Sequence, residues 1–438
     1  MKLKHLLIVI ASIFAVACQD NHNVVLNEAT EPESSHFEQA LQDVMAIVAE
    51  TNPKKYQHLI SIRSTLRPEF YTSATMAECL PASVQKKAAS DGTANGLDTL
   101  LYIVNFGNDE GFAIMSANPE ILGDMVLAVA DFGSICMEDF VAAAQEDNST
   151  ANSPARTVAG IINKGIYNFT TKKDSIDPFN PTAGLTPYKN YRHEYSSWVQ
   201  TGKLNPLVKV KIGQGAPYNK YCFTTDGQKA LAGCDAIAVV EVMAANEYPT
   251  CIGNINVNWR VLKSEYETNE TQKDLLARII AEVGKQCQMT YGVNVSTSNI
   301  KKAKTCLANY SRYKDLTIWY ETDVTIDKVE TMLLNARPPY FRANQKGAKT
   351  GHAWVLDGWI RQERDVEVYD GSKLIETYRE SRKLVHCAYG WYGQYDGYYY
   401  FKLFDIGRGP EIRENGDVNT TGDTTYYNDG YAMMTYTL

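Results

Sequence analysis

The chain has 438 residues, enough for two or three domains, and its 44% hydrophobic and 21% charged residues are typical of a globular protein with a real core. The formal net charge is −8 and no long basic run occurs, so nucleic acid is not expected as a partner, because phosphate binding needs clustered Lys and Arg. The 28 tyrosines favour structure rich in β-strands.

Residues 1–18 have the features of a signal peptide. Two lysines precede an apolar run from Leu6 to Ala17, which is too short to span a bilayer as a stable helix. Cys18 directly follows an Ala-Val-Ala tripeptide, and this resembles the lipobox of bacterial lipoproteins, in which the cysteine is lipidated after cleavage. We expect export and a lipid anchor at Cys18, facing the outer membrane or the cell surface. Ordinary signal cleavage nearby and a periplasmic position are the alternatives.

Residues 19–35 are polar and predict a flexible tether, and residues 36–150 predict a small α+β unit. The stretch HFEQALQDVMAIVAE repeats apolar residues at helical spacing. Two apolar runs flank Gly107–Gly111, which predicts a hairpin, and MVLAVADFGSI predicts another strand.

Residues 151–203 are interpreted as a linker and activation region. A helix-like patch, TVAGIINKGI, is followed over residues 167–205 by a stretch rich in Asn, Thr, Pro and Lys, which is typical of an exposed connection. Cleavage there has candidate positions at Lys172, Lys173, Arg192 and Lys203, and a site other than these is the alternative.

Residues 204–438 predict a second unit in which helices precede a sheet. DLLARIIAEVGKQC has helical spacing, and beyond residue 315 segments such as KTGHAWVLDGWI and LVHCAYGWYG predict antiparallel strands. That order favours the α+β class. The nine cysteines include no C-x-x-C pair, which disfavours a structural zinc site, and their disulfide state is open.

The segment LAGCDAIAVVEVMAANEYP places Cys234 at the start of a very apolar helix that ends near Asn246. Unpaired backbone N–H groups and the positive end of the helix dipole favour a thiolate at such a position. The sequence therefore predicts a reactive nucleophile. The alternative interpretation is a small buried residue at a tight helix start.

A thiolate nucleophile needs an imidazole as base and acid, and only His352 and His386 follow Cys234. Cysteine on a helix with histidine later on a sheet is the arrangement of papain-like proteases, but spacing alone does not choose between the two histidines. Gln214, twenty residues before the cysteine and flanked by glycines, is a candidate side-chain donor for an oxyanion hole, with the backbone N–H of Cys234 as the second donor.

Four motifs in order, GQGAPYN, AGCDAIAVVEVMAANEYP, GHAWVLDGW and GWYGQYDGYYY, resemble those of the streptopain family of bacterial cysteine peptidases. LYIVNFGNDEGFAIMSAN resembles the inhibitory propeptide of that family. The resemblance implies a papain-like catalytic domain at 204–438 and an inhibitory pro-domain at 36–150 that blocks the cleft. Its implied site residues are Cys234 as nucleophile, His352 as base and acid, Gln214 and Cys234 as oxyanion donors, and Tyr389 and Trp391 beside the histidine, with His386 structural.

The chain departs from that family at three places. Asp235 follows the nucleophile where an apolar residue is usual, and a carboxylate there disfavours the thiolate by charge repulsion. Ala388 and Tyr389 stand where the family has Asn and Trp, and Ile212 where Trp is common.

The leading hypothesis is a lipid-anchored, monomeric cysteine endopeptidase made as a zymogen, which hydrolyses peptide bonds through a thioester and needs no metal or cofactor. The alternative is a pseudo-peptidase that binds peptides or host proteins at the cell surface. A transglutaminase-like reading needs an acidic or amide partner for His352, and strand alternation places Asp357 on the opposite face.

Overall fold

The structure, a computed structural model, describes residues 31–72, 99–107, 109–117, 125–144, 153–172, 192–320, 323–344, 351–404 and 431–438. Within these ranges the helices are α1 (Glu31–Thr51), α2 (Pro53–Ile62), α3 (Met137–Ala144), α4 (Pro154–Lys172), α5 (Cys234–Ala245), α6 (Trp259–Glu265), α7 (Glu270–Gln286), α8 (Ile300–Ala308) and α9 (Ile326–Leu334). The signal peptide, Cys18 and most of the tether lie outside the described residues.

The strands in the same ranges are β1 (Glu69–Thr72), β2 (Thr99–Asn105), β3 (Phe112–Ser116), β4 (Val126–Ala130), β5 (Arg192–Tyr195), β6 (Val199–Leu204), β7 (Cys251–Ile252), β8 (Ile255–Asn256), β9 (Lys314–Tyr320), β10 (Tyr340–Asn344), β11 (Gly351–Asp370), β12 (Lys373–Ala388), β13 (Gly397–Tyr400) and β14 (Ala432–Thr437). Twelve of them form one antiparallel sheet in the order β1-β2-β3-β4-β13-β12-β11-β10-β14-β9, with β5 and β6 paired to β11.

The N-terminal unit contains the elements that its sequence predicts. Helix α1 buries the apolar stripe that includes Leu41, Val44 and Val48, and β2 and β3 form the predicted hairpin across residues 107–111. One boundary differs, because α1 begins at Glu31 and the last five residues of the predicted tether at 19–35 are helical.

The predicted linker at 151–203 has more regular structure than its composition indicates. Helix α4 was expected and is confirmed, and it buries Val158 and Ile162. Strands β5 and β6 were not expected: their polar sequences give no apolar alternation, yet they pair with β11 along its outer half. Of the candidate cleavage positions, Arg192 and Lys203 lie in these strands and Lys172 ends α4, while Lys173 lies outside the described residues.

The C-terminal unit is α+β, as predicted, with the cysteine on a helix and the histidine on an antiparallel strand. The predicted helix at 275–287 is confirmed as α7, which Asn269 caps by accepting hydrogen bonds from the backbone N–H groups of Thr271 and Gln272. Beyond residue 315 the described residues are mostly in strands, although α9 interrupts them.

Two large apolar cores lie on opposite faces of the β10–β11 part of the sheet. One contains helix α5 with Ala353 and Val355 from β11. The other contains Trp354 and Leu356 from β11 together with side chains of β2, β3, β4 and α4, so the N-terminal and C-terminal units share it. Burying that common core stabilises the attachment of the two units, since each Å² of apolar surface removed from water contributes roughly 25 cal/mol. No helix in the described part of the chain is long and apolar enough to cross a membrane.

Candidate active site

Cys234 is the first residue of α5, as its sequence predicts. Gly233 precedes the helix with φ of +86°, and a Cβ at that position would lie 2.1 Å from Cε of Met289, so both the backbone conformation and the packing require glycine. The helix ends at Ala245 with Asn246 as its C-cap, close to the predicted end, and all its residues but Ala245 are buried. The thiol is thus fixed at one end of a rigid apolar helix.

The Cys234 thiol lies directly beside the strand that carries His352. Its Sγ atom is 3.9 Å from the carbonyl oxygen of Gly351 and 4.0 Å from Oδ2 of Asp235. Burial raises the pKa of this thiol to about 12, and the charge of Asp235 adds to the rise, while Arg342 and backbone N–H groups oppose it. The predicted preference for thiolate at the helix start is therefore outweighed in this structure by desolvation.

Asp235, which the sequence marks as a departure from the family pattern, is not an unpaired charge. Its Oδ1 atom accepts a hydrogen bond of 2.6 Å from Nη1 of Arg342 and another from the hydroxyl group of Tyr340, and the carboxylate is buried. Sequence reasoning missed Arg342 and Tyr340, because a partner more than one hundred residues away leaves no local signal. The repulsion expected between Asp235 and a thiolate is partly offset by the guanidinium.

His352 lies on β11 in an aromatic environment. Its ring stacks on Trp391, with centroids 4.1 Å apart and planes 16° apart, and Trp354 and Tyr389 flank it at 6.0 and 6.1 Å. Nε2 lies 2.9 Å from the carbonyl oxygen of Tyr389. Burial lowers the pKa of His352 to about 4, although the Tyr389 carbonyl acts in the opposite direction. The imidazole is therefore neutral over most of the pH range.

The Cys234 thiol lies beside Gly351, the residue before His352 on β11, but the thiol and the imidazole face different sides of the sheet. Ala353 and Val355 share a core with Cys234, whereas His352 stacks with Trp354 in the opposite core, which follows from the alternation of side chains along a strand. No hydrogen bond joins Cys234 to His352 in the part of the chain that is described.

Gln214 lies in a half-buried loop that reaches both the cysteine and the aromatic segment. Its carbonyl oxygen accepts a 2.8 Å hydrogen bond from the backbone N–H of Ala232, two residues before the nucleophile. On the other side, the Tyr392 backbone N–H donates to the carbonyl oxygen of Ile212 at 2.8 Å, and the Tyr392 ring covers Gly213 so closely that a Cβ there would lie 2.3 Å from it. The loop is thus fixed between the nucleophile and the segment beside the histidine.

Tyr389 and Trp391, predicted to lie beside the histidine, do contact it, and the segment between them and β13 is firmly bonded. Asp396 Oδ1 accepts a 2.8 Å hydrogen bond from the Tyr389 backbone N–H, and Oδ2 accepts one of 2.7 Å from Nζ of Lys211. The N-terminal unit contacts the same segment, since the Asp131 backbone N–H donates to the Asp396 carbonyl oxygen at 2.7 Å. The peptide that holds His352 is therefore within two hydrogen bonds of the N-terminal unit.

His386, the rival histidine, has a different partner. Its Nδ1 atom lies 2.6 Å from Oδ1 of Asp357, and both side chains are completely buried. The second oxygen of Asp357 accepts a 2.9 Å hydrogen bond from the backbone N–H of Val208. Asp357 is thus committed to His386 and not to His352, which agrees with the argument from strand alternation.

No group of three or more His, Cys, Asp or Glu side chains with the spacing of a metal site occurs among the described residues. The seven cysteines within the described ranges, at positions 136, 222, 234, 251, 287, 306 and 387, are free thiols.

Comparison with known proteins agrees with the motifs. The model of the peptidase C10 family matches residues 212–399. Streptopain of Streptococcus pyogenes is 21% identical over 243 residues, which are 44% of this chain and 56% of the streptopain chain. The predicted resemblance to streptopain-family peptidase precursors is thereby confirmed.

Two solved structures from Prevotella intermedia are also similar. A fragment of prointerpain A, a cysteine-to-alanine mutant, is 19% identical with a TM-score of 0.49, and the match covers 76% of this chain and 94% of that one. Active wild-type interpain A cysteine protease is 21% identical with a TM-score of 0.36, covering 54% of this chain and 95% of that one.

Proposed function

We propose that the protein is a cysteine endopeptidase, exported as a lipoprotein and made as an inactive precursor. The observation that carries the proposal is the position of Cys234 on the first turn of a buried helix, with its Sγ atom 3.9 Å from the residue that precedes His352. The match of residues 212–399 to the peptidase C10 family supports the same reaction class.

The reaction follows from the groups that meet at this end of α5. His352 takes the proton of the Cys234 thiol, and the thiolate attacks the carbonyl carbon of a peptide bond. The oxyanion is bound by the backbone N–H of Cys234 and the side-chain amide of Gln214. His352 then gives its proton to the departing amine, leaving a thioester, and water that is deprotonated by His352 releases the acid and restores the thiol.

The N-terminal unit serves as the pro-domain in this proposal, with the same boundaries, 36–150, that the sequence suggests. Two features of the full chain are consistent with an inactive precursor: the thiol is protonated at neutral pH, and His352 is bonded to a backbone carbonyl instead of the thiol. Cleavage in the 151–203 region releases the unit from its shared core and frees the segment that holds His352.

Casein hydrolysis by the processed protein tests the proposal. Cys234→Ala is expected to abolish hydrolysis, because it removes the thiol that is proposed to form the thioester. Cys251→Ala is the matched control, since Cys251 is exposed and its Sγ atom contacts only the carbonyl oxygen of Gly253. Hydrolysis by Cys234→Ala at the wild-type rate would show that the nucleophile is assigned wrongly.

A pseudo-peptidase that binds peptides without cutting them is the second candidate. The observation in its favour is that the His352 imidazole faces away from a thiol whose pKa burial raises to about 12. A thiol-directed epoxide separates the two candidates after processing. Selective labelling of Cys234 indicates a peptidase, and the absence of labelling indicates a binding protein.

The lipid anchor is tested independently of catalysis. We propose that Cys18 is lipidated and holds the protein at the outer membrane or cell surface. Growth with a radiolabelled fatty acid should label the wild-type protein and not Cys18→Ser, and the variant should leave the membrane fraction. Labelling of the variant would refute the anchor without affecting the peptidase proposal.

A further inference from the structure

The carboxylate next to the nucleophile is part of a buried network that links α5 to β10. Tyr340 and Arg342 alternate with Phe341 and Ala343 along β10, so the first pair faces α5 and the second faces the opposite core. Both α5-facing side chains donate to the same Oδ1 atom of Asp235. The other oxygen, Oδ2, is the one that lies 4.0 Å from the Cys234 thiol.

The network also fixes the thiol relative to the histidine strand. Arg342 pairs with Ala353 across β10 and β11, directly beside the pair formed by Ala343 and His352. An ion pair from Arg342 to Asp235 therefore joins the first turn of α5 to the point where β11 carries the imidazole. A guanidinium suits this place because its planar set of donors stays charged when buried.

The titratable and charged groups near Cys234 lie on three elements. Asp235 lies on its own helix, Arg342 and the Tyr340 phenol lie on β10, and His352 lies on β11 with its ring on the far side of the strand. The Asp235 charge raises the pKa of the thiol and the Arg342 charge lowers it, both acting after the larger effect of burial. The two charges thus oppose each other at the sulfur, and the contribution of Asp235 is the larger of the two.

We propose that Arg342 is a positioning residue for Cys234, which holds and neutralises Asp235 so that the nucleophile can ionise beside a carboxylate. This inference rests on the proposed peptidase function and identifies a residue that the family motifs do not mark. Asp235 is then not a sign of lost activity but one half of a compensated pair.

The test follows alkylation of Cys234 by iodoacetamide in the full chain as a function of pH, read by mass spectrometry of the peptide that contains it. Asp235→Asn leaves the guanidinium without its carboxylate and is expected to lower the pH of half-maximal rate by about one unit. Arg342→Met leaves the carboxylate and is expected to slow alkylation at pH 7 about tenfold or more. Unfolding would also lower that pH, toward the roughly 8.5 of a free thiol, so the circular dichroism spectrum of each variant is recorded to show that it is folded.

The double variant Asp235→Asn with Arg342→Met removes both charges and should return the rate to within about threefold of wild type, because the two effects are coupled. Arg278→Met is the matched control, since Arg278 pairs with Asp274 on the surface of α7, and it should leave the profile unchanged. The proposal is overturned if the two single variants have the wild-type profile, or if the double variant is as slow as Arg342→Met.

The alkylation profile does not depend on peptide hydrolysis. If Cys234→Ala digests casein as fast as wild type, the proposed function fails while the alkylation comparison still gives its own answer. If hydrolysis requires Cys234 but the charge variants leave the profile unmoved, only the role of Arg342 is lost.

Discussion

The two histidines on the neighbouring strands β11 and β12 occupy very different surroundings. His386 is bonded at 2.6 Å to a buried carboxylate, Asp357, whose second oxygen is also bonded. His352 has no carboxylate partner among the described residues and contacts only a backbone carbonyl and aromatic rings. A buried hydrogen-bonded pair in which both carboxylate oxygens have a partner suits a structural role, while an imidazole held by one replaceable hydrogen bond can change partners.

The largest effect that separates the two sites is expected in catalysis. His352→Ala should lower kcat/KM of the processed protein for a peptide substrate by about 10²–10⁴-fold, because it removes the imidazole proposed to act as base and acid. The circular dichroism spectrum should remain that of a folded protein, although loss of the buried ring is expected to lower Tm. An unchanged kcat/KM for the variant would show that His352 is not the catalytic base.

A change at the other histidine should act on stability. Asp357→Ala leaves His386 and the Val208 backbone N–H without their acceptor, and the free energy of unfolding measured in urea should fall by about 3–5 kcal/mol. The control is Asp365→Ala, on the same strand as Asp357, which removes an exposed ion pair with Arg379 of β12. It should change the free energy of unfolding by less than about 1 kcal/mol. Equal effects of the two variants would contradict the structural role of Asp357.

The pH dependence of stability gives a third contrast. The pKa of His352 is lowered from 6.5 to about 4 by burial, so the unfolded chain binds this proton at a higher pH than the folded chain does. The contribution to the free energy of unfolding is thus complete above pH 6.5, is lost as the pH falls toward 4, and amounts to about 3 kcal/mol or less. Urea titrations across that window should show a shallower loss for His352→Gln than for wild type. Identical slopes would mean that His352 is not buried in its neutral form.

The smallest effect concerns Lys211. Its ammonium bonds Asp396, which in turn accepts from the Tyr389 peptide that holds His352. Lys211→Met should reduce the free energy of unfolding by about 1 kcal/mol, since the lysine is partly exposed and the Asp396–Tyr389 bond remains. If Lys211→Met lowers the free energy of unfolding as much as Asp357→Ala does, the ion pair of Asp396 with Lys211 is as important for stability as the Asp357–His386 hydrogen bond.

Local patterns predicted much of this molecule, because the signals for its elements are themselves local. Gly233 before an apolar helix gave the position of Cys234, and Gly107–Gly111 between two apolar runs gave the β2–β3 hairpin. Strands β5 and β6 escaped prediction, since their stability comes from the edge of β11 and not from their own sequence.

The site was predicted less completely than the fold. Cys234 and Asp235 were singled out from the sequence, but the direction of the thiol pKa was not predicted, because burial and Asp235 act against the helix dipole. Arg342 follows only from strand pairing that brings β10 against β11 and both against α5. In the sequence, Tyr340 and Arg342 alternate with Phe341 and Ala343. This pattern identifies Arg342 as a partner of Asp235 only when the helix that faces β10 is known.

Strand β4 of the N-terminal unit forms a ladder with β13, pairing Ala130 with Gly397 and Ala128 with Tyr399. In the proposed activation the N-terminal unit departs, and the backbone N–H and C=O groups on the β4-facing edge of β13 lose the hydrogen-bond partners that they have in the full chain. A bare strand of this kind is a template for another extended chain. On the proposed activation, β13 therefore becomes an exposed strand edge that can pair with another chain, and the solubility of the processed protein depends on how that edge is covered.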